Sequence, residues 1–304
     1  MKWIHEREQY KGYNIYSMKK YVDKKRIIFT SVVIIIVIIT LGLIAYYSID
    51  SIIRLKAKQK FDEQLISEKE AIIDKLNQIE IEKKNKLENT KNNLSNIYHS
   101  DTKRAFLTFD DGPSQNTETI LQILEQYQVK ASFFVLGTQV EKKPELVKKI
   151  YEQGNFIGNH GYSHNYSAIY SSPQAVLDEY NHTNSLIQQA LGDSNFNSHL
   201  FRFPGGLAGG KYADIKNQAK DLLEQNEIFQ VNWNALTGDS EKAKPTPEEL
   251  MTNLQKTTEG KNSVVILMHD SAAKKVTADI LPQVIEYLKS QGYEMKTFYD
   301  IMEI

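Results

Sequence analysis

Two carboxylates stand side by side, Asp110 and Asp111, where an apolar run enters a Gly-Pro turn in the string TFDDGPS. Neighbouring side chains on an extended segment point to opposite faces, but a sharp turn can bring both into one cleft. Two imidazoles follow, His160 and His164, four residues apart in NHGYSH. That spacing predicts a helical turn with both rings on one side, able to share a metal. Two His and one Asp form a facial set that leaves coordination sites open for water and substrate, as a hydrolytic metal requires. Arg202 lies in FRFPGG, where Pro204 fixes the chain and Gly205 and Gly206 let a backbone amide approach a ligand closely. Its permanently charged guanidinium suits the task of holding a carboxylate base in place. His269 and Asp270 close the run ILMHD. Each group also has a bland counterpart: acids that cap the next helix, an Arg in a surface turn, a structural His at a strand end.

The surrounding composition narrows the chemistry. The 304 residues carry a formal net charge of -1, without the basic surplus that a nucleic-acid binder uses to displace counterions, so nucleic acid is not an expected partner. There are no cysteines, which removes disulfides and thiolate zinc sites and leaves His, Asp and Glu to hold any metal.

The elements that must position these residues occupy the C-terminal two thirds, residues 102–304. Short apolar runs at 105–109, 131–136, 228–233 and 264–268 predict buried strands. Amphipathic segments at 118–127, 144–153, 173–191, 212–225, 247–257 and 278–290 predict helices, the fifth opening on Thr246, Pro247 and Glu249 as cap, first turn and reciprocal carboxylate. Alternation of strand and helix implies parallel strands with crossovers, in an open sheet or a barrel, with chemistry at the C-terminal strand ends. The polar clusters fall there: Asp110 and Asp111, Asp239, His269 and Asp270.

Upstream, residues 27–49 carry no charge and are long enough to cross a hydrocarbon core of about 30 Å as a helix. The span is too long for the apolar part of a secretory signal, and Tyr46 and Tyr47 replace the small residues of a cleavage site, so an uncleaved single-pass anchor is expected. Lys19, Lys20, Lys24, Lys25 and Arg26 favour a cytoplasmic tail over residues 1–26 and an extracellular C-terminal domain, although Arg54, Lys56, Lys58 and Lys60 weaken the asymmetry. Residues 50–101 predict a helical stalk: a polar, Gly- and Pro-free run with Leu65, Ile72 and Ile79 at a seven-residue step, and Leu87 and Leu94 at another. The two runs differ in phase and Lys69 and Lys83 occupy seam positions, so a solvated spacer is expected over a self-associating coiled coil.

In order along the chain, TFDDGPS, HxxxH, RFPGG, an Asp after a Trp-bearing run and LMHD closely resemble the polysaccharide deacetylase family with the NodB homology domain, carbohydrate esterase family 4. The resemblance covers the chain from about Arg104 onward and implies an α/β fold, a distorted β/α barrel, behind the transmembrane helix and stalk. It implies Asp110 as general base and Asp111, His160 and His164 as ligands of one divalent metal ion, zinc first among zinc, cobalt, nickel and manganese. It further implies that Arg202 orients Asp110, that Asp239 pairs with Arg202, and that His269 is the general acid. Leu267 would line the acetyl pocket, the amide of Gly205 would complete an oxyanion site, and Trp233 would contact substrate.

Three positions depart from the family pattern. Gly161 stands where Ser or Thr usually follows the first His, Asn165 stands where Pro usually follows the second, and Asp239 is followed by Ser240 with Trp233 earlier in the chain. The expected activity is removal of N-acetyl groups from N-acetylglucosamine units of cell-wall peptidoglycan. Poly-N-acetylglucosamine or chitin oligomers are the alternative substrates, and a catalytically silent wall-binding protein or a functional stalk are the readings from other classes.

Overall fold

The computed structural model describes the chain over residues 15–303, with side-chain surroundings from residue 20 onward. Residues 1–14, most of the expected cytoplasmic tail, lie outside the described residues. The chain divides into two compact units, Met1–Ile79 and Glu80–Ile304.

Within the first unit the backbone is helical from Ile15 as part of α1 (Ile15–Ser95). Its apolar stretch is long and apolar enough to cross a membrane by length and composition, and its side chains are bare of protein. Leu65, Ile72 and Ile79 are exposed.

The second unit begins well before Thr102, where the sequence had placed the boundary. The last turns of α1 and the turn after it belong to it: Thr90, Leu94 and, past the helix end, Ile97 are buried, and Leu87 packs beside them against Phe106, Phe134, Val265 and Phe298. Asn93 donates to the carbonyl of Ile301 at 2.9 Å, and Thr90 Oγ1 accepts from the Glu303 amide at 2.9 Å. The seven-residue step between Leu87 and Leu94 is therefore a packing face of the domain and not the seam of a coiled coil.

The core of the unit is built on β1 (Arg104–Asp110) and β7 (Ser263–His269), which pair in parallel along their whole lengths. The other strands are β2 (Ser132–Val135), β3 (Phe156–Asn159), β4 (Leu200–Phe201), β5 (Phe229–Gln230), β6 (Ala235–Leu236) and β8 (Glu294–Lys296). Their order is β5-β4-β3-β2-β1-β7-β6, with β8 beside the first half of β1, and every described pairing is parallel. This is a half-open form of the distorted β/α barrel that the family resemblance implied. β3, β4, β6 and β8 are additions to the four predicted strands.

Helices alternate with the strands: α2 (Gln115–Gln126), α3 (Gly137–Lys142), α4 (Pro144–Glu152), α5 (Tyr166–Ile169), α6 (Pro173–Leu191), α7 (Ala213–Gln225), α8 (Pro247–Thr258) and α9 (Lys275–Ser290). Capping follows the sequence. Thr246 and Glu249 form a reciprocal box at the start of α8, and α6 opens on Ser172 and ends at Gly192 in the left-handed conformation.

Side chains alternate across a strand, so each strand sorts its residues between two layers. Ala105, Leu107 and Phe109 of β1 join Val264, Ile266 and Met268 of β7 under the helices. Phe106, Val265, Phe134, Phe156 and Leu200 fill the barrel interior, closed by Leu94, Ile97 and Phe298. The same parity carries Asp110, His160, Arg202, Leu267 and His269 to the interior face at the C-terminal strand ends.

Candidate active site

Asp110 ends β1 with 2% of its surface exposed, directly across the ladder from His269 at the end of β7. Arg202, fully buried after β4, donates from Nη1 to Asp110 Oδ1 at 2.9 Å and to Thr108 Oγ1 at 2.7 Å. Nε donates to the carbonyl of Val231 and Nη2 to that of Asn232, and the guanidinium lies 4.0 Å from the centre of the Phe134 ring. Burial pushes the Asp110 carboxyl up, against the pull of Arg202 and His269.

Asp111 takes a left-handed conformation, φ 75°, and so leaves the strand pattern and turns its carboxylate towards the histidines. Oδ1 lies 3.6 Å from His160 Nε2 and 3.5 Å from His164 Nε2. The two imidazoles do not sit on a helical turn, as the four-residue spacing had suggested. His160 follows the last residue of β3, His164 lies in a loop at φ 54°, and α5 starts only at Tyr166.

The donor set fits a divalent cation on the geometry of the site itself. Asp111 Oδ1 is buried with no hydrogen-bond partner among the described residues. His160 Nδ1 lies 2.7 Å from the carbonyl of Arg202, which can only accept, so the proton sits on Nδ1 and the lone pair of Nε2 faces Asp111. Burial drives His160 down to about 3, keeping the ring neutral as a ligand must be. The three ligand atoms lie within 4.8 Å of one another.

Asp239 does not pair with Arg202. Its Oδ1 accepts from His269 Nδ1 at 2.8 Å, and its Oδ2 accepts from the His269 amide at 2.7 Å and from Thr277 Oγ1 at 2.7 Å. Strand order explains the difference: Arg202 follows β4 and Asp239 follows β6, on opposite flanks of the β1–β7 pair. Burial disfavours a charged His269, but the hydrogen bond and charge of Asp239, with Asp110 and Asp111 beyond, raise it to about 9.

Gly205 and Gly206 both take positive φ, 72° and 75°, where a side chain would be strained. They run between two aromatic side chains: a Cβ on Gly205 would lie 2.6 Å from the Tyr166 hydroxyl, and one on Gly206 3.0 Å from the Trp233 ring. Leu267 is 8% exposed. Tyr166, Thr277 and Glu179 were not singled out from the sequence. Thr277 and Glu179 lie on helices away from the motifs, and Tyr166, which opens α5 two residues after His164, reads in the sequence as an ordinary helix-start residue.

A buried carboxylate held by an arginine, an Asp-His-His cluster beside it that could hold a metal ion, and an acid-held imidazole opposite form a candidate hydrolase site. A family profile described as polysaccharide deacetylase matches residues 98–222. A peptidoglycan-N-acetylglucosamine deacetylase of Bacillus cereus is 30% identical over 288 residues, covering 93% of this chain and 95% of the relative. Among solved structures, a carbohydrate esterase family 4 enzyme from Streptococcus mutans superposes with a TM-score of 0.61 at 31% identity, over 67% of this chain and 89% of that one. The catalytic domain of a peptidoglycan N-acetylglucosamine deacetylase from Eubacterium rectale gives 0.60 at 29% identity, over 66% and 90%. The chain belongs to the polysaccharide deacetylase family, carbohydrate esterase family 4, and is an N-deacetylase.

Proposed function

We propose that this chain removes N-acetyl groups from N-acetylglucosamine residues of cell-wall peptidoglycan, with one divalent cation held by Asp111, His160 and His164. The reading is carried by the opposition of Asp110 and His269 across one strand pair, with the three-ligand cluster beside Asp110. The names of the similar enzymes favour peptidoglycan as the polymer. Zinc is the first candidate for an imidazole and carboxylate set. When bound, such a cation would polarise the acetyl carbonyl and make water a better nucleophile.

The chain's own residues supply the proton transfers. Asp110, kept in orientation by Arg202, which Thr108 helps to hold, takes a proton from the water that adds to the acetyl carbon. The amide of Gly205 faces the developing oxyanion. His269, protonated and aimed by Asp239, donates to the sugar nitrogen as the C–N bond breaks, giving acetate and a free amine. Tyr166 and Trp233 form the groove walls against the sugar, and Leu267 lines the methyl pocket. Residues 27–49 anchor the chain in the cell membrane, with the enzyme outside.

The test is acetate release by the full-length chain in detergent, with added zinc, from N-acetylglucosamine oligomers and from peptidoglycan. Asp110→Asn is expected to lower the rate by about 10²- to 10⁴-fold. Release only from poly-N-acetylglucosamine or chitin would reassign the polymer, and no acetate from any of them would end the reading.

A further inference from the structure

We infer that Glu179 is a positioning residue for the metal centre, a carboxylate on α6 that sets the loop between His160 and His164 so that both rings aim at Asp111. This rests on the reading of Asp111, His160 and His164 as metal ligands. Glu179 Oε2 accepts from the amide of Tyr162 at 2.8 Å and from that of Ser163 at 3.1 Å, while Oε1 accepts from Ser163 Oγ at 2.7 Å. Ser163 Oγ in turn accepts from the amide of Asn165 at 3.0 Å. His164, at φ 54°, is thus fixed from both sides: the residue before it is tied to Glu179 and the residue after it to Ser163. A left-handed non-glycine residue persists only where its surroundings over-determine it, and this relay does so.

The close approach depends on Gly161. At φ 82°, an added Cβ would lie 3.0 Å from Glu179 Oε2 and 2.9 Å from Ile169 Cδ1. The loop's first amide is held by the same helix through a second route. Asn159 Oδ1 accepts from Gly161 N–H at 2.9 Å, and Asn159 Nδ2 donates to the carbonyl of Tyr180 at 3.0 Å. α6 is itself a firm support, seated by buried Val176, Leu177, Tyr180 and Thr183. All three hydrogen bonds that Glu179 accepts among the described residues go to the ligand loop, so its role is to support His164, which lacks the direct backbone hold that His160 has from Arg202.

The test compares zinc dissociation constants, by chelator competition, for the full-length wild type, Glu179→Gln and Ser163→Ala, alongside the Tm of each without added metal. Gln removes the charge and leaves one oxygen for the loop's donors, and Ser163→Ala removes the relay and its bond to Glu179 while leaving every residue of α6 in place. Glu179→Gln is expected to weaken zinc binding by about 10- to 100-fold and Ser163→Ala by a smaller factor in the same direction. Should Glu179→Gln fail to fold, the Ser163→Ala result decides by itself. Unchanged zinc affinity in a folded variant, whatever its Tm, would overturn the positioning role. A wild type that binds no zinc would sink the metal centre itself, and a wild type whose binding survives Asp111→Asn would move it elsewhere.

Discussion

Asp239 serves His269 twice, accepting from both its ring and its backbone amide, and a proton donor held this way should show itself in a pH profile. The protonated form of His269 is favoured in the fold, so the donor is present at neutral pH and lost as pH rises through about 9. Asp239→Asn removes the negative charge, and kcat is expected to fall about 10²-fold or more with its alkaline limb moved to lower pH. A limb that stays in place would show that another group sets it. The linked stability has the same sign: the ion pair contributes fully below the unfolded imidazole value of about 6.5 and is lost as pH rises through the folded one. Asp110 shifts in the same direction for a different reason: burial favours its acid form, against Arg202 and His269, which favour the carboxylate that a base requires.

The elements that place these groups were legible in the sequence to different depths. Long β1 and β7 announced themselves as apolar runs, and α6 matched its expected limits, because Pro173 and Gly192 punctuate it. β4 and β6, two residues each, carry no periodic signal and exist because neighbouring strands hydrogen-bond to them. The partner of Asp239 was illegible for a related reason, since it depends on which strands are neighbours. His164 misled through its spacing: four residues suits a helix, yet a strand end and a loop satisfy it too. The domain boundary was hidden because α1 runs past it without a break in helical composition. A fragment that starts at Thr102 therefore loses the burial of Leu94 and Ile97, worth about 1.5–3 kcal/mol each. Relative to one starting at Glu80, its Tm should fall by roughly 6–24 °C in calorimetry. Equal Tm values would show that α1's last turns add nothing to the fold.

At the scale of the whole chain, the proposed tether rests on the apolar stretch of α1, which is long and apolar enough to cross a membrane by length and composition. In intact cells, trypsin added outside is expected to digest the Glu80–Ile304 unit while a tag on the N-terminus survives, and both should sediment with membranes. Protection of the hydrolase unit would reverse the proposed orientation. Within that unit the proposed proton acceptor and donor stand on paired strands, Asp110 opposite His269, locked by seven successive register partners. The groups proposed to meet the sugar, Tyr166, Gly205 and Trp233, sit instead on connecting segments. Polymer preference can consequently diverge among descendants of this fold by remodelling those connections, while the hydrolytic step is inherited unchanged.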